Sequence, residues 1–194
     1  MADVLATEEE LALFVGDTGL DMDRATLLLE LATGEVQAVT GQRLVLVEDD
    51  PFELFSYSGP WLTLPQRPVT EITSLTIDDG DELVAGTDYK RPAKSAMLFR
   101  RCGWAACQYE PSVIAGIYSH GYATGAQDLE FARRATLGVA SLALNAPAGV
   151  ISEAIDDYRV QYATAVVWAM EQSPYLRKVL QKTYGERAGL VRFG

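Results

Sequence analysis

The sequence predicts an α+β fold that is mainly α: a helical bundle with an inserted small antiparallel β unit, followed by a C-terminal helix and tail. Three observations carry this. Early and late stretches of the 194-residue chain hold apolar residues at three- and four-residue spacing behind helix-capping side chains. The middle changes to short alternating runs bounded by Pro and Gly. With 48% hydrophobic residues there is enough apolar material for one core plus a small subdomain. The expected divisions are residues 1–50 for the first bundle helices, 51–123 for the inserted β unit, 124–172 for the later bundle helices and 173–194 for the last helix and tail.

Thr7 with Glu10 three positions on is a capping-box signature, and Leu11, Phe14 and Val15 supply an apolar stripe for a helix ending near Gly16. Asp21 caps a second helix whose Leu27, Leu28 and Leu31 form the expected apolar face, with Gly41 beyond its end. Leu44–Val47 reads as β, and Trp61–Leu64 precedes Pro65 and Pro68, which forbid a helix. Ile72–Ile77 is a strand entering a turn at Asp78-Asp79-Gly80-Asp81, where glycine is expected to supply positive φ before Leu83 and Val84 return. Ala96–Phe99 and Val113–Tyr118 are further strands. Helices resume at Asp128, with Leu129, Ala132, Ala135, Thr136, Val139 and Leu142 on one stripe; Pro147 and Gly149 end that helix. Ser152 is expected to cap another helix through about Met170, and Ser173-Pro174 to start one more, closed by Gly185.

Charge is unevenly spread. Residues 1–58 hold thirteen acids and two bases, the whole formal net charge of −11, whereas 171–194 hold five bases against two acids. So acidic a chain has no general electrostatic grip on nucleic acid, and an acidic head with a basic tail fits complementary contacts between neighbours. The first ten residues are acidic where a secretory signal would be basic, and no run is long and apolar enough to span a bilayer, so a soluble protein with no membrane partner is expected. Two cysteines, Cys102 and Cys107, are too few for a disulfide framework and fit a reducing compartment.

Chemistry-bearing patterns are sparse. His120 is the sole histidine, and in a strand-end turn a ring hydrogen-bonded to backbone is its ordinary role. Cys102 and Cys107 match neither a zinc nor a redox spacing, no phosphate loop is present, and the Asp78–Asp81 cluster lacks the ligand order of a calcium loop. No catalytic residue, metal site or cofactor is therefore expected. Tyr158, Tyr162 and Trp168, placed on the helix expected after Ser152, read as core or subunit packing. The rival reading is a small cytoplasmic enzyme or regulator built on a carboxylate pair that nothing in the sequence singles out.

Several short pieces occur in a telling order: Leu64-Pro65-Gln66-Arg67-Pro68-Val69 leading to Ile72–Ile77, then Gly86-Thr87-Asp88-Tyr89, Leu98-Phe99-Arg100, Gly103-Trp104, Ile117-Tyr118-Ser119-His120-Gly121-Tyr122 and Asp128-Leu129. Over about two thirds of the chain this order resembles the head-to-tail connector (adaptor) proteins of long-tailed bacteriophages. The resemblance implies a non-enzymatic virion protein at the head–tail junction, assembled in the host cytoplasm. Its copies would form a ring, a dodecamer, beneath the portal protein after genome packaging, meeting a downstream stopper or tail-completion protein. Viral DNA would pass through the channel on ejection without specific binding. On this footing Tyr175, Leu176, Arg177, Lys178, Lys182, Tyr184, Arg187, Leu190, Arg192 and Phe193 are the expected portal-docking residues, on a helix able to leave its own bundle. Glu8, Glu9, Glu10, Asp21 and Asp23 are the expected channel or rim acids, which would repel phosphate and let DNA slide.

Overall fold

The computed structural model describes residues 4–17, 19–56, 59–93, 95–105, 110–145, 152–155, 158–161 and 173–185. The chain divides into two compact units, one formed by residues 1–42 and 124–194, the other by 43–123. Four α-helices and seven strands occur among the described residues, so the balance is α+β rather than mainly α.

In the first unit, α1 (Glu8–Val15) opens on the predicted capping box: Glu10 N donates to Thr7 Oγ1 at 3.3 Å and Thr7 N to Glu10 Oε2 at 3.2 Å. It closes on Gly16, whose φ of 72° is the left-handed cap that glycine adopts without strain. Helix α2 (Met22–Thr40) starts where Asp21 accepts from the amides of Asp23 and Arg24. Its buried face is not the expected one. Ala25, Leu29, Ala32 and Val36 are buried, whereas Leu27 and Leu31 are exposed and Leu28 only half-buried; on α1, Leu11 is buried but Phe14 is exposed. A 3₁₀ turn (Gln127–Leu129) leads into α3 (Glu130–Asn145), which packs Ala132, Ala135, Val139 and Ala140 inward. These small side chains let helices pack closely.

Residues 152–155 and 158–161 are not helical, contrary to expectation. They form β6 and β7, paired antiparallel from Ser152↔Gln161 to Ile155↔Tyr158. Tyr158 therefore lies on a strand, and Tyr162 and Trp168 lie outside the described residues. Helix α4 (Pro174–Thr183) has proline in its first turn, but Ser173 makes no side-chain cap.

The second unit is built on a three-stranded antiparallel sheet in the order β1 (Val47–Ser56), β5 (Ser112–His120), β3 (Val69–Ile77), with a separate pair, β2 (Trp61–Thr63) and β4 (Met97–Phe99). Strand β1 begins where the predicted β run ends and extends through Glu48-Asp49-Asp50-Pro51. Proline is tolerated because β1 is an edge strand, and Asp49 takes φ 52° at a register shift between Val47 and Asp50. The core gathers Leu62, Leu64, Leu75, Leu98, Trp104, Ile114 and Tyr118. Trp104 is fully buried and donates through Nε1 to Pro60 O at 3.1 Å. After β3 the chain reverses through Asp78 and Asp79, with φ of 50° and 54°, closed by Gly80 N to Ile77 O at 2.9 Å. Two aspartates, rather than the expected glycine, hold the positive φ angles. Asp78 Oδ1 also accepts from Val113 N at 2.8 Å, which adds an enthalpic reason for that choice.

Candidate functional site

The short motifs in the β unit are architectural. Gly86 N donates to Tyr89 O at 2.8 Å, and this tight turn delivers the buried Tyr89 to the core, where burial raises its hydroxyl pKa. At the end of β5, Gly121 has φ 93° and presses against the Val45 carbonyl, leaving no room for a Cβ. Its amide donates to Pro68 O at 2.9 Å, and Tyr122 N to Leu44 O at 2.8 Å, so this corner ties three segments together. Tyr118 accepts from Gln66 N at 3.1 Å, and burial pushes its pKa up to about 12.

His120 is fully buried and bonds a side chain rather than the backbone. Its Nε2 lies 2.9 Å from Asp50 Oδ2, and Nδ1 has no hydrogen-bond partner among the described residues. The sequence reading missed this pair because Asp50 is distant in the chain and sits in a stretch that did not read as a strand; the β1–β5 register brings the two side chains together. The imidazole also stacks at 5.0 Å from Tyr118. Among the described residues no cluster of three His, Cys, Asp or Glu side chains is arranged to hold a metal.

The charged candidates fall in the helical unit. Of the five acids expected on a channel or rim, three have structural work. Asp21 caps α2. Glu8 accepts from Thr26 Oγ1 at 2.7 Å, and that bond, ahead of a local backbone contact, holds its carboxyl below the ordinary value. Glu10 completes the capping box and takes a two-pronged contact from Arg133 of α3, with Nε to Oε2 at 2.9 Å and Nη2 to Oε1. Glu9 and Asp23 are exposed.

On α4, Tyr175, Arg177, Lys178 and Lys182 are exposed, and Leu176 is half-buried. Tyr184 is not available to a partner as expected. It is buried, with its hydroxyl donating to Asp128 O at 2.5 Å and accepting from Ala132 N at 3.4 Å, and Leu180 is fully buried beside it. Helix α4 is thus seated on its own unit, contrary to the expectation of a helix that leaves it, and presents a basic outer face. Arg187, Leu190, Arg192 and Phe193 lie outside the described residues.

No protein-family model matches the chain, and no curated protein matches it in sequence. Solved structures do. A chain from the neck of an empty GTA particle, computed with C6 symmetry, superposes with a TM-score of 0.52 at 13% identity, covering 93% of this chain and 89% of that one. A chain from the neck of the native GTA particle, computed with C12 symmetry, gives 0.51 at 16%, covering 93% and 91%. One from the virion of the native gene transfer agent particle gives 0.52 at 16%, covering 92% and 88%. At these identities the likeness is one of fold, and it spans nearly the whole of both chains: this protein is folded like chains of the gene transfer agent neck.

Proposed function

We propose that this protein is a structural component of the head–tail junction of a phage-like particle: an adaptor whose copies form a ring under the portal protein, extend the DNA channel and receive a stopper or tail-completion protein below. The observation that carries this reading is the near end-to-end likeness of fold to chains from symmetric neck assemblies. The order of short motifs in the β unit agrees with it. The outer face of α4, with Tyr175, Arg177, Lys178 and Lys182, is the portal-docking face, held in place by Leu180 and Tyr184. Glu9 and Asp23 are the acids free to line the channel or its rim, where negative charge repels DNA phosphates and lets the duplex pass.

Co-sedimentation with the portal protein of the same particle, joined to negative-stain imaging of the complex, tests this. Wild-type protein should bind as a ring, and Arg177→Glu with Lys178→Glu and Lys182→Glu should lose portal while keeping the native circular dichroism spectrum. Unchanged binding by that variant moves the docking face elsewhere, and no binding by the wild type ends the adaptor reading.

A further inference from the structure

Helix α2 is apolar on two opposite sides. Ala25, Leu29, Ala32 and Val36 face the core of the helical unit. Leu27, Leu31, Gly34 and Ala38 follow at spacings of four, three and four, which places them within about 60° of arc on the opposite side, over about 16 Å of helix. All four are exposed, Leu27 at 55% and Leu31 at 51%. A contiguous apolar face left open to water on one side of a helix marks a surface that a partner covers. Gly34 points the same way. A Cβ built on it meets nothing within 4 Å, so alanine would fit freely, and glycine in a helix interior disfavours folding about fivefold relative to alanine. The isolated fold gains nothing from that glycine. A close-approaching backbone from outside would.

Helix α3 repeats the pattern. Gly138 has open space around its missing Cβ, and Leu142, one turn on, is 60% exposed. The charges of the two helical layers are opposite. Eight of the nine charged side chains between residues 4 and 42 are acidic, whereas two of the three on α3, Arg133 and Arg134, are basic. Packing α2 against α2 of a second copy would bring Glu30 to Glu30, whereas packing α2 against α3 joins unlike layers.

We propose that the outer face of α2 is the surface on which a second copy of this chain docks, through the outer face of its α3, in a head-to-tail contact that repeats from copy to copy. The assignment rests on the ring reading above and names the surface that builds the ring. Within one chain, Arg24 Nη2 in the first turn of α2 donates to Leu144 O at 3.0 Å in the last turn of α3, so the two helices run antiparallel. Copies related by a small rotation keep that sense. Leu142 of the partner subunit then falls between Leu27 and Leu31, and Gly138 of the partner subunit lies opposite Gly34, where the backbones approach most closely. A contact between two different faces closes into a ring or runs on, and it does not stop at a dimer.

The test uses the full chain with Cys102→Ser and Cys107→Ser. Adding Leu31→Cys together with Leu142→Cys and a short bismaleimide should give a ladder of covalent multimers; Leu31→Cys alone should give none. Cross-linking by Leu31→Cys alone, stopping at dimers, overturns the assignment in favour of a two-fold α2 contact. In sedimentation velocity, Leu31→Ala should weaken self-association on the order of tenfold to a hundredfold. Gly34→Leu should abolish it while leaving the melting temperature equal or higher, a combination that a purely structural glycine does not produce. Wild-type multimers indifferent to both variants overturn this surface and leave the ring reading intact. Loss of portal binding without loss of self-association assigns the face to another neck protein and also overturns it. Absence of any wild-type self-association, with or without portal, removes the ring reading itself.

Discussion

Replacing Tyr184 tests whether α4 is held as the structure describes. Tyr184→Phe keeps the ring in its buried site but removes a hydroxyl that donates to Asp128 O and accepts from Ala132 N. Losing such a group from a buried position costs about 1.5 kcal/mol. Tyr184→Ala also empties the ring's volume, and truncating a buried aromatic costs about 3–5 kcal/mol. If α4 opens locally before the unit unfolds, these costs fall on the opening equilibrium. Trypsin reads that equilibrium directly, since Arg177, Lys178 and Lys182 become cleavable when α4 lifts. With reclosing fast relative to cleavage, the rate at these three sites should rise about tenfold for Tyr184→Phe and more than about a hundredfold for Tyr184→Ala. Mass spectrometry of the fragments separates these cuts from those elsewhere, and in a Trp168→Phe background tryptophan fluorescence follows the β unit through Trp61 and Trp104. Equal cleavage rates in wild type and Tyr184→Ala would show that α4 is not anchored by this residue.

Gly121→Ala should destabilise the β unit by about 2 kcal/mol or more, because the new Cβ meets the Val45 carbonyl at a φ of 93°; urea unfolding followed by tryptophan fluorescence in a Trp168→Phe background checks this, and an unchanged midpoint refutes it. Asp50→Ala takes away the carboxylate beside a fully buried imidazole and should cost about 1–3 kcal/mol by the same measurement, with no loss meaning that His120 finds another partner. Thr26→Val removes the first cause of the lowered Glu8 pKa, so an NMR titration should place that carboxyl closer to 4.5. The sign follows: a depressed folded pKa gives stability that is full above the unfolded value and is lost as pH falls through the folded one, so the wild type should exceed Thr26→Val in stability at neutral pH and lose that advantage in acid. Persistence of the advantage in acid would trace it to something other than Glu8.

Local signals in the sequence were strongest where a few adjacent residues decide the outcome. The Thr7–Glu10 box, the Asp21 cap, Gly16 and Gly41 mark helix ends through short-range hydrogen bonds, and all four stand where they read. Alternation in Ile72–Ile77 and Val113–Tyr118 likewise survives as β3 and β5. The buried face of α2 was misread because leucines outweigh alanines in any apolar count: Leu27 and Leu31 drew the face outward, although Ala25 and Ala32 are on the buried side. β1 was hidden by its acids and Pro51, which only an edge position permits. The strand pair 152–155 and 158–161 was hidden too, since Ser-Glu-Ala-Ile and Tyr-Arg-Val-Gln alternate as readily as they spiral. Of the candidate surfaces, the sequence supplied the charges on α4, but which side chains it spends inward, Leu180 and Tyr184, depends on packing against α2 and α3.

The outer edge of β1 bears on the fate of many copies crowded together. A ten-residue strand whose outer side meets no other strand among the described residues is a template on which another strand can grow, and such growth has no natural end. Here Pro51 offers no N–H, the irregular backbone at Asp49 breaks the flatness, and Glu48, Asp50 and Glu53 set like charges on any identical strand that approaches. On the far side of the sheet, Leu83 N donates to Leu75 O at 2.8 Å and occupies part of the edge of β3. Fibre-like stacking through the sheet is thereby penalised at both rims, and on the ring reading proposed above this leaves assembly to the helices, where the number of copies is set by geometry.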